Sequence, residues 1–234
     1  MQVLIAGGSG GIGLALIDQL LQQPDVHITA SYRRQPPSFS HPRLQWQQAD
    51  LTDEAQVQAL TQSITHLDLV INACGVLHSN DKLPEKALTE FTPAFFFNNL
   101  QSNTLIAILL AKHCQAALKR SGRSHFVCLS ARIGSISDNH KGGWLSYRSA
   151  KAALNMALKT IAIEWRRTLP NCCVIALHPG TVATPLSQPF QARVPAAQLQ
   201  APEQCAKALL AVIASRGASD SGAYLDYRGE IIPW

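Results

Sequence analysis

Apolar residues along this chain fall into two alternating kinds of pattern. Val3-Leu4-Ile5-Ala6 is a short continuous run, the mark of a strand covered on both faces. Leu14-Ala15-Leu16-Ile17 and Leu20-Leu21 follow with helical spacing. Short runs recur at Val26–Ala30, Leu44–Gln48, Leu67–Ile71, His125–Leu129, Cys172–Leu177 and Gly222–Leu225, each predicting a strand. Between them, periodic segments predict helices over 53–63 with Thr52 as N-cap, over 92–119 with Pro93 in the first turn, over Leu145–Arg167 and over Pro202–Ile213. Residues 35–43, 76–90 and 131–144 read as loops. Residues 185–201 hold three prolines and no periodicity, and read as a mobile flap over a substrate. Strands that alternate with helices predict an α/β fold, doubly wound, with a parallel sheet of about seven strands flanked by helices on both faces. The whole chain, 1–234, reads as a single domain.

The first turn sharpens that picture. Gly7-Gly8-Ser9-Gly10-Gly11-Ile12-Gly13 lies between the first strand and the first helix. Glycines let backbone approach a pyrophosphate, and the helix N-terminus offers free N–H groups and a favourable dipole to the anion. The alternative is a flexible turn without a ligand; the strand before and the helix after favour a dinucleotide site of Rossmann type. Tyr32-Arg33-Arg34 follows the second strand, where such a fold meets the adenosine ribose. No acid is present there to take a free 2′-hydroxyl, and Arg33 and Arg34 match a 2′-phosphate. The expected cofactor is NADP(H), with NAD(H) possible; the alternative is that both arginines solvate a loop.

Composition adds exclusions. Net charge is +5 with no dense Lys/Arg run, which predicts no nucleic-acid partner and is compatible with an anionic small ligand. Six cysteines include no CxxC pair, the eight histidines show no metal-ligand spacing, and free buried thiols without a metal are expected. No apolar run has the length of a membrane span, and the N-terminus has no basic leader, so a cytoplasmic protein with no membrane contact is expected.

Polar residues at strand ends supply candidate chemistry: Ser9, Arg33, Asp50, Asn72, Ser130, Thr181 and Thr184. On helices, Asn103 joins them, and Tyr147 and Lys151 are spaced to share one helix face. An ammonium near a phenol favours phenolate and so predicts a lowered Tyr147 pKa, suited to proton exchange with a carbonyl or alcohol. By itself a Tyr-x-x-x-Lys pair is common.

In this order the residues resemble the classical short-chain dehydrogenase/reductase family over essentially the whole chain. The matching segments are Gly7-x-x-x-Gly11-Ile12-Gly13, Asp50-Leu51, Asn72-Ala73-Cys74-Gly75, Asn103, Tyr147 with Lys151, and Pro179-Gly180-Thr181-Val182-x-Thr184. The ending, Asp226 to Trp234, looks like the branch of C-factor-like proteins and small carbonyl reductases. The resemblance implies an NADP-preferring oxidoreductase acting on a small carbonyl or alcohol, with Tyr147 as acid/base. It implies that Lys151 binds the ribose and tunes the tyrosine, and that Asn103 holds a relay water. It implies cofactor contacts at Gly7, Ser9, Gly10, Gly11, Ile12, Gly13, Asp50, Leu51, Asn72, Ala73, Gly75, Pro179, Gly180, Val182 and Thr184. It also implies a homodimer or homotetramer through helices 92–119 and 145–167.

One departure stands out. The family's catalytic serine aligns with Ala131 in Leu129-Ser130-Ala131-Arg132-Ile133-Gly134-Ser135. Ser130 and Ser135 are the alternatives to replace it as a donor to the substrate oxygen. If neither does, turnover is low. That leaves a second function open: a protein of C-factor type that binds NADP to signal or to scaffold.

Overall fold

The computed structural model describes residues 1–79 and 81–234; Asn80, inside the stretch expected to be irregular, lies outside the described residues. In chain order the elements are β1 (Gln2–Ala6), α1 (Gly11–Leu21), β2 (His27–Tyr32), β3 (Leu44–Gln48), α2 (Glu54–Thr61), β4 (Leu69–Asn72), α3 (Pro93–Leu100), α4 (Ile106–Lys119), β5 (Ser124–Leu129), α5 (Leu145–Thr168), β6 (Cys172–His178), β7 (Thr181–Val182), β8 (Leu199–Gln200), α6 (Pro202–Ser215) and β9 (Ala223–Asp226).

Seven strands form one parallel sheet in the order β3-β2-β1-β4-β5-β6-β9, while β7 and β8 pair separately. Side chains in a strand alternate between faces. Leu4, Val70, Phe126 and Val174 therefore join one core with residues of α2, α4 and α5. Val3, Ile5, Ile71, Val127 and Ile175 join the other with α1 and α6. The winding reverses between β1 and β4, which opens a crevice at their carboxyl ends.

Several boundaries differ from expectation, each for a local reason. Thr52 does not cap the second helix: its N–H and hydroxyl both donate to Asp50 Oδ1, and Asp53 caps instead by accepting from Ala55 N at 2.9 Å. The 92–119 helix is α3 and α4 joined by a π turn, Gln101–Leu105. The expected 131–144 loop contains a 3-10 turn, Arg132–Gly134. The 185–201 segment holds 3-10 turns at Gln188–Arg193 and Ala196–Gln198 and then β8.

The rod Pro93–Lys119 is, by length and composition, long and apolar enough to cross a membrane, contrary to the sequence expectation, but 56% of its apolar window is buried in this fold. It is a core helix on the α5 side of the sheet. All six cysteines are free, five of them buried, and no cluster of metal-ligating side chains occurs among the described residues.

Candidate active site

The crevice is built first from glycines. Gly7, directly after β1, has φ +76°, and a Cβ there would come 2.9 Å from Cys74 Sγ, so the turn and its neighbour both demand glycine. A Cβ on Gly13 would run into the Gly7 carbonyl oxygen, which is how α1 lies so close behind the turn. No side chain caps α1, whose N-cap is Gly10, and no acid lies in its first turn. Its leading N–H groups therefore face the crevice uncompensated, the donor set a pyrophosphate needs.

Two adjoining cavities occupy the crevice. The smaller, about 230 Å³, is lined by Gly7, Tyr32, Arg33, Asp50, Leu51 and Thr52. The larger, about 650 Å³, is lined by Gly11, Ile12, Gly13, Ser130, Ala131, Arg132, Tyr147, Lys151 and the segment Pro179–Val182 with Thr184. Ser9, Gly10, Ala73, Cys74 and Gly75 border both. Most residues expected at a cofactor are thus brought together along one trough. Arg34 is exposed and lines neither cavity. Asn72 is buried and also lines neither; its side-chain oxygen accepts from Cys74 N at 3.0 Å and shapes the turn after β4. In the smaller cavity, hydrogen bonds from Thr52 hold the Asp50 carboxyl below the usual range, with Arg33 adding to the effect.

Tyr147 and Lys151 share one face of α5 and both are buried. Lys151 Nζ lies 5.7 Å from the Tyr147 ring centroid and donates to the Leu129 carbonyl at 2.9 Å. The expected lowering of the phenol is reversed. Burial pushes Tyr147 well above its ordinary value, with Tyr224 adding to the shift, and burial lowers Lys151 to about 8. Desolvation of both groups exceeds what an ammonium at this distance contributes.

Asn103 sits in the π turn, a deformation frequent at functional sites. Its side chain donates to Val76 O at 2.8 Å and to Asn99 O at 3.0 Å, and accepts from Val76 N at 3.1 Å. It fixes the irregular segment that leaves Gly75, and a Cβ on Gly75 would lie 3.1 Å from its oxygen and 3.7 Å from Lys151 Nζ. Asn103 itself lines neither cavity.

The two candidate serines separate. Ser130 lines the larger cavity; Ser135 does not, and its hydroxyl accepts from Asp138 N at 3.1 Å in a turn. Ala131 occupies the wall where the serine was expected, and its carbonyl accepts from Tyr224 Oη at 2.5 Å.

Residues not singled out from the sequence complete the site. Glu85, nearly fully buried, binds Ser146 through its carboxylate and takes the Trp144 N–H on its carbonyl at 2.5 Å. It thereby secures the first turn of α5, which carries Tyr147 and where Trp144 adopts φ +53° and no residue of the helix's own N-terminus caps it. The partner lies 61 positions away in sequence, so no local pattern signals it. Phe190, from the expected flap, packs on Trp144 with ring centroids 4.8 Å apart and on His78 at 6.1 Å. His78 Nε2 also meets the Pro185 carbonyl at 3.3 Å. These contacts close an apolar wall over the Tyr147 end of the cavity. His178, at the end of β6, has its pKa lowered to about 4 by burial and Nδ1 without a partner among the described residues.

Comparison with known proteins agrees with this architecture. Residues 1–195 match the family model for short chain dehydrogenase. The chain is 30% identical to C-signal of Myxococcus xanthus over 72% of this chain and 93% of the relative. It is 26% identical to an uncharacterized oxidoreductase of Schizosaccharomyces pombe over 98% and 96% of the two chains. In fold it is similar to the NADPH-bound carbonyl reductase from chicken fatty liver, with TM-score 0.86 and 24% identity over 100% of this chain and 94% of the other.

Proposed function

The chain belongs to the short chain dehydrogenase family, and we propose that it is an NADP(H)-dependent oxidoreductase that reduces a small carbonyl compound to an alcohol. The observation that carries this reading is the placement of Tyr147 and Lys151 on the wall of a cavity continuous with the glycine cradle. The cradle fits a dinucleotide: its glycines leave space and its helix N-terminus is uncapped. Arg33, directly after β2 and with no acid next to it in sequence, favours the 2′-phosphate of NADP(H) over NAD(H). The fold's likeness to an NADPH-bound carbonyl reductase is consistent with that choice.

When bound, the reduced nicotinamide supplies a hydride to the carbonyl carbon. The overall balance is carbonyl plus NADPH plus a proton, giving alcohol plus NADP⁺. Tyr147 gives its hydroxyl proton to the developing alkoxide. A phenol raised by burial is fully protonated at neutral pH, the form that reduction requires. Lys151 provides a donor and charge beside it, while Asn103 and Glu85 hold the backbone on either side. Phe190, Trp144 and Leu186 exclude water from the carbonyl. Six free and mostly buried thiols fit a reducing, cytosolic setting.

The reading extends to a homodimer or homotetramer. Phe97 and Ile108 on the α3–α4 rod, and Met156 and Ile163 on α5, are exposed apolar side chains on the helices expected to pair.

A second reading rests on Ala131 and on the likeness to C-signal: an NADP-binding signalling or scaffold protein with little turnover. NADPH consumption against benzaldehydes, aryl ketones and quinones separates the two. Turnover of at least one of them, lost in Tyr147→Phe, supports the enzyme. NADPH binding without turnover of any supports the second reading.

A further inference from the structure

His178 lines the larger cavity from the end of β6. Its ring makes no hydrogen bond among the described residues, and Nδ1 is buried in that unpaired state. Among those residues only His66 and His113 form histidine ion pairs, so no carboxylate holds the His178 ring within 4 Å. Buried polar atoms are nearly always paired, and an unpaired ring on a cavity wall calls for an explanation.

The sheet brings this residue to the reacting end of the site. Leu129 of β5 pairs with Leu177 of β6, and Ser130 N donates to the Leu177 carbonyl at 2.9 Å. His178 is therefore the neighbour of Ser130 across the ladder. Ala176 faces the core shared with α5, and Leu177 faces the opposite core. By alternation His178 returns to the α5 side, the side of Tyr147 and Lys151. Pro179 follows and restricts His178 to extended backbone, which keeps it on that side.

The polar side chains around it are committed. Ser130 donates to Asn155 Oδ1, Lys151 donates to the Leu129 carbonyl, and Arg132 is ion-paired with Asp138 and Asp226. Burial lowers His178 to about 4, with Arg132 and Lys151 adding to the shift, so the ring is neutral at physiological pH. A neutral imidazole carries one N–H and one lone pair. With Nδ1 sealed, Nε2 is the nitrogen left to face the cavity. A neutral imidazole N–H polarises a carbonyl and keeps its own proton.

We propose that His178 is a catalytic residue whose Nε2–H hydrogen-bonds the substrate's carbonyl oxygen, in place of the serine that Ala131 replaces. This rests on the oxidoreductase reading of the same site and adds a donor to it. Tyr147 still gives the proton, and the imidazole stabilises the charge that develops on the oxygen.

The test replaces the ring and reads both rate and carbonyl. His178→Phe keeps an aromatic ring and removes the donor. Its kcat for the benzaldehydes and aryl ketones is expected to fall by roughly a hundredfold, the scale of one lost oxyanion donor. KM should stay within about threefold, because the bond strengthens in the transition state. His178→Gln, whose amide can donate, should retain part of the rate. Ala131→Ser should raise kcat by a larger factor in His178→Phe than in the wild type, because the two donors serve one oxygen. Melting of each variant establishes that it folds, and His178→Leu is read instead where His178→Phe does not melt cooperatively.

A second readout needs no turnover. With NADP⁺ present and no hydride available, carbonyl-13C acetophenone is bound and its stretch is read by infrared difference spectroscopy. The stretch is expected at lower wavenumber in the wild type than in His178→Phe. A kcat within threefold of wild type in His178→Phe overturns the inference and leaves the oxidoreductase reading standing. So does a lower kcat with an unchanged carbonyl stretch, which would make His178 a support of the wall. No turnover of any carbonyl, with a stretch that still depends on His178, overturns the oxidoreductase reading and leaves the contact standing. No turnover and no such dependence overturns both.

Discussion

Ser130 donates its hydroxyl proton to Asn155 Oδ1 across 2.6 Å. Asn155 in turn donates to the Gly134 carbonyl at 3.3 Å, so the pair pins the turn that carries Ala131 and Arg132. A hydroxyl whose proton is committed in this way is a poor donor to a developing alkoxide, although Ser130 lines the cavity. On the proposed mechanism the site is therefore short of one hydroxyl oxyanion donor. Ser130→Ala is expected to lower kcat by less than about tenfold, well below the two to three orders typical of a lost oxyanion-hole donor. Ala131→Ser restores a donor at the wall position and is expected to raise kcat. A loss of a hundredfold or more in Ser130→Ala, with no gain in Ala131→Ser, would show that Ser130 turns away from Asn155 during the reaction.

Tyr147→Phe removes the proposed proton donor and keeps the packing of a buried ring. Steady-state rates are expected to drop roughly a hundredfold or more, the scale of general-acid contributions. NADPH affinity, read by fluorescence titration, should stay within about threefold, because the effect belongs to the transition state. Unchanged turnover would remove Tyr147 from the mechanism.

What the sequence disclosed, and what it did not, follows from the range of each interaction. The parallel sheet and its cover of helices on both faces were legible because β1, β4, β5 and β6 are continuous apolar runs separated by helical periodicity. The glycine cradle was legible because its steric demand is local: Gly7 and Gly13 meet the same turn that contains them. The Tyr147 titration was not. Spacing along a helix gives the Lys151 neighbour, but desolvation depends on how much of the fold closes around both groups. Glu85 and Phe190 escaped notice for a related reason. Each reaches the site from a loop remote in sequence, and neither loop has a period to read. Arg34 was overread. Both arginines lie in the bend that follows β2, and of the two only Arg33 lines the cavity.

The two long helices on the α5 side carry exposed Phe97, Ile108, Met156 and Ile163. A symmetric partner would bury them against themselves. Light scattering at micromolar concentration is expected to give a dimer or tetramer mass. The double variant Phe97→Asp/Met156→Asp should shift it toward monomer, because a charge in an apolar interface must be desolvated without a partner. A monomeric wild type would refute the assembly.

Arg33 makes no ion pair within 4 Å among the described residues and lines the smaller cavity beside Asp50. Its guanidinium is available to a 2′-phosphate. NADPH is expected to bind roughly tenfold or more tighter than NADH, and Arg33→Asp to reverse the order by placing an acceptor at the ribose hydroxyl. Arg34→Ala should change the ratio much less. Equal affinities of the wild type for both cofactors by titration would contradict the assignment.

Lys151 links function to stability through its burial. Its ammonium is lost as pH rises through about 8 in the folded protein, against about 10.5 for an ordinary lysine. Between those values the unfolded chain binds the extra proton, so this residue's contribution to stability rises with pH across the window and is least favourable below it. Cys74, Cys114 and Cys128 act in the opposite sense. Burial raises their thiols to about 12, so the folded state holds protons that the unfolded chain loses above pH 9. The lysine's effect must therefore be read as a difference from Lys151→Met, in which the thiols cancel. At pH 7 the methionine variant is expected to be more stable, by at most on the order of 3 kcal/mol after losing the bond to the Leu129 carbonyl, and the gap should close between pH 8 and 10.5. The same substitution should abolish turnover and weaken NADPH binding, while wild-type activity declines as pH passes about 8. Chemical denaturation of both proteins across that range, alongside their rates, checks the two together. A variant less stable than wild type at pH 7 would mean that the buried ammonium is held by stronger partners than Leu129.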